Sequence, residues 1–484
     1  MSLPIEDSPP IDDADVGALL AEVTRAAASY LEALDGLPAR DRDAERAAAR
    51  FTGALPEQGL GAVEALKRLL DDGAEAATRS AGPRFLHFVT GGATPAALAA
   101  DWFTSVLDNN AFHPARSPLG THLETLTLGW LRELFDLPPG WGGAITSGAT
   151  MANVTALAAA RQWWGERHGV DIAASGLSGL PPLPVLSGGF VHASVGKALA
   201  TLGVGSASIR VHSRDGTGRV DLAGVERALR ELDGAPAVVV ATAAEVNTGR
   251  FDPIAELARL AHDHGAWLHV DGAFGLFARV SPANRRLTEG IELADSVISD
   301  GHKWLNVPYD CGFAFVADPR LLPATFGMGA PYLSPGSGRT EPMVTSPEMS
   351  RRARAIAIWA TLAAYGRDGY RALVERHVNL ARRLADQIAA AADFQLLEPP
   401  VLNVVCFRYA PPGVPEHRLD ELNRQLGDAV LADGRIYFGT TIYDGKVAFR
   451  PTIANWRTAE RDVDLVLPVA GELAAGLLGR LGAG

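Results

Sequence analysis

The chain of 484 residues is long enough for two or three structural units, and 47% hydrophobic with 21% charged residues is a globular composition. A formal net charge of −12 argues against nucleic acid or an anionic membrane as the main partner, and no apolar run has the length of a membrane helix. The acidic, proline-rich N-terminus differs from a targeting peptide and the two cysteines lie far apart, so we expect a soluble cytoplasmic protein.

The predicted elements divide the chain into three parts. Residues 1–84 hold helical patterns with short breaks, and residues 85–349 alternate short apolar or β-branched runs with helical patterns. Residues 350–484 begin with a long helical pattern that runs to about residue 392 and end in a smaller α+β unit. We therefore expect an N-terminal helical segment, a large α/β domain and a small C-terminal domain.

One stretch predicts a strand, a helix and a second strand in direct succession. PAVVVAT (236–242) and AWLHV (266–270) are the strand patterns. The helical pattern between them has Asp252 as its predicted N-cap, Pro253 at the first helical position and Gly265 past its end. Such a unit joins neighbouring parallel strands, so the large sheet should be mostly parallel.

Lysine is scarce in this chain, which has only Lys67, Lys197, Lys303 and Lys446. The first two fall in helical patterns and the last in a turn, whereas Lys303 follows the carboxyl end of the strand pattern ADSVIS (294–299). Open α/β sheets bind their ligands at that edge. A lysine amine that attacks a carbonyl there indicates pyridoxal phosphate (PLP) as the cofactor.

PLP needs further groups, and the sequence offers a candidate for each. Asp271 ends a strand pattern and could hold the ring nitrogen. The turn around Gly148 in GGAITSGATMAN joins a strand to a helix, whose N-terminus suits a phosphate. His192, between a strand and a helix, could face the ring. Taken singly, these features are also typical of a turn cap, a small-residue turn and a structural histidine.

Other classes of site fit less well. No strand–GxGxxG–helix unit and no GxSxG motif occurs. The histidines of HDHGAWLH (262–269) do not converge on one side of the predicted helix end, so we expect no metal site.

Five motifs in a fixed order carry a family resemblance: SGATMAN, VHASVGKAL, AEVNTGRFDP, HVDGAFG and SDGHKWLN. With them the chain resembles the PLP-dependent group II amino-acid decarboxylases, the aromatic-L-amino-acid decarboxylase family, over nearly all residues after 80. This resemblance implies an α/β protein of PLP fold type I (aspartate aminotransferase-like). It also implies a homodimer with active sites at the interface and the N-terminal helices laid over the partner.

The resemblance also implies the roles of single residues. Lys303 would form the aldimine with PLP, Asp271 would pair with the pyridine nitrogen, and His192 would stack on the ring, with His302 as a fourth catalytic residue. The remaining cofactor-binding positions would hold the phosphate, pack on the opposite ring face or lie beside the cofactor: Gly148, Ala149, Thr150, Ala273 and Asp300. The substrate pocket would include His87, Phe88 and Phe103.

The chain departs from the family at the mobile loop. Relatives carry there a tyrosine that protonates the quinonoid intermediate after CO2 loss, but residues 342–345 read PMVT, and Tyr332 lies before that position. We expect decarboxylation of an L-amino acid, aromatic or related. Because loss of this acid in relatives favours reaction with oxygen, the alternative is an aldehyde-forming oxidative deaminase. A C–S β-lyase and a non-catalytic PLP-binding scaffold are further alternatives.

Two smaller departures concern the cofactor's surroundings. Asp300 stands where many relatives have asparagine, and it could cap the turn at Gly301. Val246 and Asn247 replace a threonine-rich run, so another residue should supply the hydrogen bond that orients His192.

Overall fold

The computed structural model describes residues 14–327 and 341–481. In these residues the large sheet has seven strands: β1 (Gly142–Thr146), β2 (Val185–Ser187), β3 (Ile209–Val211), β4 (Val238–Thr242), β5 (Trp267–Asp271), β6 (Ser296–Asp300) and β7 (Gly312–Val316). Their order is β1-β7-β6-β5-β4-β2-β3, and only β7 runs against its neighbours. Strands β4 to β7 are fully buried, as expected for near-continuous apolar runs. The prediction of a mostly parallel sheet is confirmed.

A second, smaller sheet lies in the C-terminal part of the described chain. It is antiparallel, with the order β10-β11-β9-β8, and comprises β8 (Phe394–Glu398), β9 (Cys406–Tyr409), β10 (Thr440–Tyr443) and β11 (Lys446–Phe449). A separate hydrophobic cluster, which includes Phe407, Phe438 and Phe449, packs around it. The α/β class with a small α+β C-terminal unit is thus confirmed, while the boundaries after residues 84 and 349 stay predictions.

Sixteen α-helices surround the sheets in the part of the chain that the structure describes. They are α1 (Val16–Ala33), α2 (Ala44–Ala48), α3 (Ala62–Ala76), α4 (Pro95–Leu107), α5 (Pro118–Leu134), α6 (Ala149–Arg167), α7 (Ile172–Ser175), α8 (Ala193–Thr201), α9 (Leu222–Glu231), α10 (Ile254–Asp263), α11 (Leu321–Phe326), α12 (Pro342–Thr345), α13 (Ala355–Ala390), α14 (Glu416–Asp433), α15 (Glu460–Val463) and α16 (Val466–Leu481). Short 3₁₀ helices occupy Ser206–Ser208, Gly275–Val280, Arg285–Thr288 and Ile291–Leu293.

The predicted strand–helix–strand unit is β4–α10–β5, but its helix start was predicted wrongly. Pro253 is the N-cap, and α10 begins one residue later. The carboxylate of Asp252 instead accepts the backbone N–H of Thr242, at the end of β4, at 2.7 Å. Asp252 therefore fastens the strand end and does not cap the helix, because a strand-end N–H competes for the same carboxylate.

The long C-terminal helix is also shorter than its sequence pattern. Helix α13 begins at Ala355, five residues after the predicted start, because Arg352 still forms a bridge to Asn110. A kink interrupts the helix at Gly366, whose φ of +58° is available to glycine without a steric penalty.

Asn306 fixes the turn that carries Lys303. Its side-chain amide donates to the carbonyls of Lys303, Trp304 and Ala454 at 3.0–3.2 Å, and its side-chain oxygen accepts the N–H of Trp456 at 2.8 Å. The backbone of Asn306 has a φ of +55°, a conformation that asparagine tolerates better than most residues. The turn between β6 and β7 is thereby tied to the C-terminal part of the chain.

Among the helices of residues 14–327 and 341–481, none combines the length and the apolar character needed to cross a bilayer. The cytoplasmic location stays a prediction.

Candidate active site

A cavity of about 440 Å³ lies where β6, the loop after it and the start of α6 meet. Most of the predicted cofactor-binding residues line it: Gly148, Ala149, Thr150, His192, Ala273, Asp300, His302 and Lys303. A smaller cavity of about 40 Å³ shares His192, Val246, Ala273 and Lys303 with it and reaches Asp271. The fold therefore brings all nine predicted cofactor-binding residues, which are far apart in sequence, to one place.

Lys303 holds its amine close to a carboxylate. Its Nζ lies 3.1 Å from Oδ2 of Asp300 and 5.8 Å from the ring centre of Phe274, and 14% of the side chain is exposed. The ion pair and the ring confine the amine to the cavity wall. A nucleophilic lysine in such a position is within reach of a small molecule but largely shielded from water.

Asp300 also reaches the N-terminus of α6. Its Oδ1 accepts the backbone N–H of Ala149, the first residue of that helix, at 2.5 Å and lies 3.6 Å from Nε2 of His302. The predicted cap at Gly301 is therefore wrong, since the N–H of Gly301 goes to the carbonyl of Cys311. A carboxylate at a helix N-terminus is stabilised by the unpaired N–H groups and the helix dipole.

Glycine is required beside this helix end. A Cβ atom on Gly148 would lie 3.1 Å from Cε1 of His302, and one on Gly312 would lie 2.5 Å from the carbonyl carbon of Gly148. The small residues let the turn, β7 and the His302 ring approach one another.

Asp271 ends β5 and is 4% exposed. Its Oδ2 accepts a hydrogen bond from the side-chain amide of Asn153, and its Oδ1 accepts the backbone N–H of Ala273, both at 3.1 Å. Two donors thus hold a buried carboxylate that faces the smaller cavity, and hydrogen bonding is what makes its burial tolerable.

His192 is the N-cap of α8 and stands exposed at the cavity wall. Its Nδ1 accepts the backbone N–H of Ser194 at 3.2 Å and lies 2.7 Å from that residue's hydroxyl. Ser194 therefore provides the orienting hydrogen bond that the sequence left open. Desolvation by the protein behind the ring lowers the pKa of His192, which favours the neutral form.

His302 packs against an aromatic residue that the sequence analysis missed. Its ring stacks on that of Tyr309 with centres 4.2 Å apart, and Tyr309 lines the larger cavity. Burial lowers the pKa of His302, while the nearby carboxylate of Asp300 opposes this effect. The phenol of Tyr309 lies 3.5 Å from the hydroxyl of Thr90, and the residue is 61% exposed.

The predicted substrate-pocket residues occupy three different positions. Phe88 lines the larger cavity, with an exposed side chain. His87 is buried behind it, with ring centres 3.6 Å apart, and leaves no room for a Cβ on Gly439. Phe103 is exposed on α4 and does not line the cavity within this chain. Their roles toward a substrate stay predictions.

The structure describes only part of the segment that matches the mobile loop, in which relatives carry the proton-donating tyrosine. Pro342–Thr345 forms the short helix α12, which contains no tyrosine, and Tyr332 lies outside the described residues. Tyr309 is thus a phenol at the cavity that does not come from this loop.

The sequence analysis assigned no role in the site to four cavity or supporting residues: Asn153, Ser194, His269 and Tyr309. Two of them carried a usable signal. Asn153 is a polar residue in a helix whose buried positions include six alanines. His269 precedes Asp271 by two residues on one strand, so both side chains share a face. Arg450 lines the larger cavity and also donates to the carbonyl of Val246 at 3.4 Å.

The groups of this site fit PLP. Lys303 supplies an amine and Asp271 supplies a buried carboxylate that two donors hold. The N-terminus of α6 supplies backbone N–H groups, of which that of Ala149 binds the carboxylate of Asp300. A lysine, a partner for the pyridine nitrogen and a phosphate-binding helix end are what the cofactor requires of a protein.

His87 should make the stability of the protein pH-dependent. Burial, with a further contribution from the charge of Arg450, lowers the pKa of His87 from 6.5 to about 4. Between these values the unfolded chain binds more protons than the folded protein, so stability is complete above pH 6.5 and falls toward pH 4. We expect the Tm to fall by roughly two degrees more in the wild type than in His87→Gln between about pH 7.5 and 5.

Differential scanning calorimetry checks this prediction, with His417→Gln, an exposed histidine on α14, as the matched control. An equal change of Tm with pH in the wild type and in His87→Gln would contradict it.

Comparisons with known proteins agree with this site. The family model for the pyridoxal-dependent decarboxylase conserved domain matches residues 64–410. An aromatic-L-amino-acid decarboxylase from Bacillus atrophaeus is 29% identical, with 86% of each chain covered. A phenylacetaldehyde synthase from Arabidopsis thaliana is 26% identical over 88% of this chain and 89% of that protein.

The fold is also similar to that of a solved structure. The crystal structure of mouse CSAD superimposes with a TM-score of 0.88 at 26% identity, and the match covers 95% of this chain and 98% of that one. The family match extends over more than half of the chain and contains every predicted cofactor-binding residue. The chain is therefore a PLP-dependent carboxy-lyase that belongs to the pyridoxal-dependent amino-acid decarboxylase family.

Proposed function

We propose that the protein converts an L-amino acid, aromatic or related, to its amine by decarboxylation. The observation that carries this proposal is the cavity itself. The amine of Lys303, the buried carboxylate of Asp271 and the N-terminus of α6 all open into two cavities with shared walls. PLP requires groups of these kinds, and the chain belongs to the pyridoxal-dependent decarboxylase family.

The chain's own residues would divide the work as follows. PLP, when bound, supplies an electron sink for the electron pair left by departing CO2. Lys303 would hold the cofactor's aldehyde carbon and give it up to the substrate amine. Asp271, with its two donors in place, would hold the proton on the pyridine nitrogen. His192 and Ala273 would enclose the ring, and the N–H groups at the start of α6 would bind the phosphate.

The substrate side of the cavity favours an apolar side chain. Phe88, Val89, Val246 and Tyr309 contribute aromatic or aliphatic surface to the larger cavity. An aromatic ring can bury a large area against such surface and stack on the exposed ring of Phe88. The aromatic specificity named for the Bacillus relative agrees with this preference.

Product analysis of two lysine variants tests the proposal. The intact protein with PLP is incubated with a panel of L-amino acids while CO2, amine, ammonia and dissolved oxygen are followed together. We expect CO2 and amine in equal amounts from an aromatic substrate, and at least about a hundredfold loss of CO2 release in Lys303→Ala. Lys197→Ala, on the exposed face of α8, is the matched control and should retain full activity.

Other outcomes identify the alternatives. Ammonia without CO2 or oxygen uptake would indicate elimination, as in a C–S β-lyase. Bound PLP with no product from any amino acid would indicate a cofactor-binding scaffold. Either result would refute the decarboxylase proposal.

An aldehyde-forming oxidative deaminase is the second candidate function. It is favoured by the absence of tyrosine in Pro342–Thr345 and by the similarity to a phenylacetaldehyde synthase. The two functions share CO2 release and differ in whether the reacting carbon is protonated or oxidised. A proton donor at the cavity therefore decides between them, and we propose that Tyr309 is this donor, because its phenol belongs to the cavity wall.

Tyr309→Phe should change the ratio of products. Since the variant keeps the ring that stacks on His302 and removes only the hydroxyl, we expect less amine and more ammonia, with matched oxygen uptake. The measurement is the ratio of amine to ammonia per CO2 released. Tyr332→Phe is the control and should leave the ratio unchanged. A change of the amine-to-ammonia ratio in Tyr332→Phe but not in Tyr309→Phe would identify Tyr332, and not Tyr309, as the proton donor.

We also propose that the protein is a homodimer with its active sites at the interface. Helices α1 and α3 bury none of their residues within this chain. They expose large apolar side chains, each about half exposed or more: Val16, Leu20, Val63 and Leu69. Apolar helix faces of this kind are normally covered by another surface. Phe103, exposed on α4, would then complete the partner's pocket. Analytical ultracentrifugation should give twice the 51.0 kDa of one chain, and a single-chain mass would refute the proposal.

A further inference from the structure

A chain of buried hydrogen bonds leads through the large domain to Asp271. The indole N–H of Trp267 donates to the hydroxyl of Ser296 at 2.9 Å, and this hydroxyl lies 2.8 Å from Nδ1 of His269. On the other side of the ring, Nε2 lies 2.8 Å from the side-chain oxygen of Asn153. The amide nitrogen of Asn153 then donates to Asp271 at 3.1 Å. All five side chains are buried, and Ser296, His269 and Asn153 have no exposed surface.

The donor or acceptor character of the groups at its two ends fixes the direction of every hydrogen bond between Trp267 and Asp271. An indole nitrogen can only donate, so Ser296 accepts from Trp267 and has its own proton left for Nδ1 of His269. That proton places the hydrogen of His269 on Nε2, from which it is donated to Asn153. From the other end, a carboxylate can only accept, so the amide nitrogen of Asn153 must face Asp271. Both arguments give the same orientation of Asn153.

A branch extends the chain to His192. The amide nitrogen of Asn153 has two hydrogens, and it lies 3.1 Å from the hydroxyl of Ser194 as well as from Asp271. Ser194 accepts this bond and donates its own proton to Nδ1 of His192 at 2.7 Å. The hydrogen of a neutral His192 ring is then on Nε2.

His269 is neutral in this arrangement. Complete burial lowers the pKa of His269 to about 4, although the charge of Asp271 opposes the effect. A protonated ring would donate from both nitrogens, so the hydroxyl proton of Ser296 would lose Nδ1 of His269 as its acceptor. The geometry and the burial therefore select one protonation state, and a fully satisfied buried network of this kind holds its members rigidly.

We propose that Asn153 and His269 are positioning residues, which aim a donor at Asp271 and, through Ser194, set the tautomer of His192. This inference rests on the proposed contacts of Asp271 and His192 with PLP, and it adds residues that do not touch the cofactor themselves. Asn153 is the branch point, because one amide group serves both side chains. His269 acts one bond further away and keeps that amide from turning over.

Cofactor binding provides a test that does not depend on the substrate. The Kd of PLP is measured by fluorescence titration of the full-length apoprotein, and the absorbance of the PLP-loaded protein is followed against pH. We expect Asn153→Leu and His269→Leu to weaken PLP binding by roughly tenfold or more and to shift the midpoint of the pH titration, as losses of supporting hydrogen bonds do at other cofactor and metal sites. His269→Gln, which can still donate to Asn153, should recover most of the wild-type affinity.

Thr155→Val is the matched control for these variants. Thr155 is a buried residue of the same helix α6, and its hydroxyl bonds only to the carbonyl of Met151. The control should keep the wild-type Kd and pH midpoint. An equal loss in Thr155→Val, or equal losses in His269→Gln and His269→Leu, would overturn the proposal, because either result indicates a packing effect.

Ser194→Ala separates the two branches and provides a milder variant if the leucine variants fail to fold. It removes the hydroxyl but keeps the backbone N–H that reaches His192. We expect the Kd of PLP to change by less than about threefold while the pH dependence of kcat shifts. An unchanged pH profile would refute the branch to His192. Wild-type PLP affinity in both Asn153→Leu and His269→Leu would refute the positioning role, and the Lys303→Ala experiment tests the proposed reaction independently.

Discussion

The active site depends on one carboxylate that serves two partners. Asp300 accepts the first N–H of α6 and pairs with the amine of Lys303, so a strand end, a helix start and the catalytic turn are held in one register. These bonds add a directional constraint to the apolar packing of the elements, because a hydrogen bond restricts the angle as well as the distance between its groups. The positions of the cavity walls follow from this contact.

A second set of polar residues lies behind the cavity wall and supports it. The carboxylate of Asp271 and the ring of His192 are both held from behind by Asn153 and Ser194, in a region with almost no exposed surface. Buried polar groups are costly unless they are fully hydrogen-bonded, and here each donor has an acceptor. The site thus combines a buried, hydrogen-bonded polar network behind the cavity with exposed aromatic rings at its opening, those of Phe88 and Tyr309.

The sequence predicted those features that local patterns encode. The strands around 236–242, 266–270 and 294–299 were recognisable as apolar runs, and Lys303 and Asp271 as the residues that follow or end them. The contacts of Asn153 and His269 depend on how α6 packs on β5, and no local pattern contains that information. The N-cap of α10 was misplaced for a related reason, because the carboxylate of Asp252 found its partner on another element. Tyr309 carried no signal beyond its position near Lys303.

The hydrogen bonds of Asn306 to the C-terminal part of the chain have a consequence for the biosynthesis of this protein. The turn that carries Lys303 makes two of its hydrogen bonds with Ala454 and Trp456, and Trp304 reaches the same region through His377. A nascent chain that has emerged only as far as β9 already contains all nine predicted cofactor-binding residues, yet the turn that carries Lys303 still lacks these partners. The active site is therefore completed late in translation, after the large domain can begin to fold.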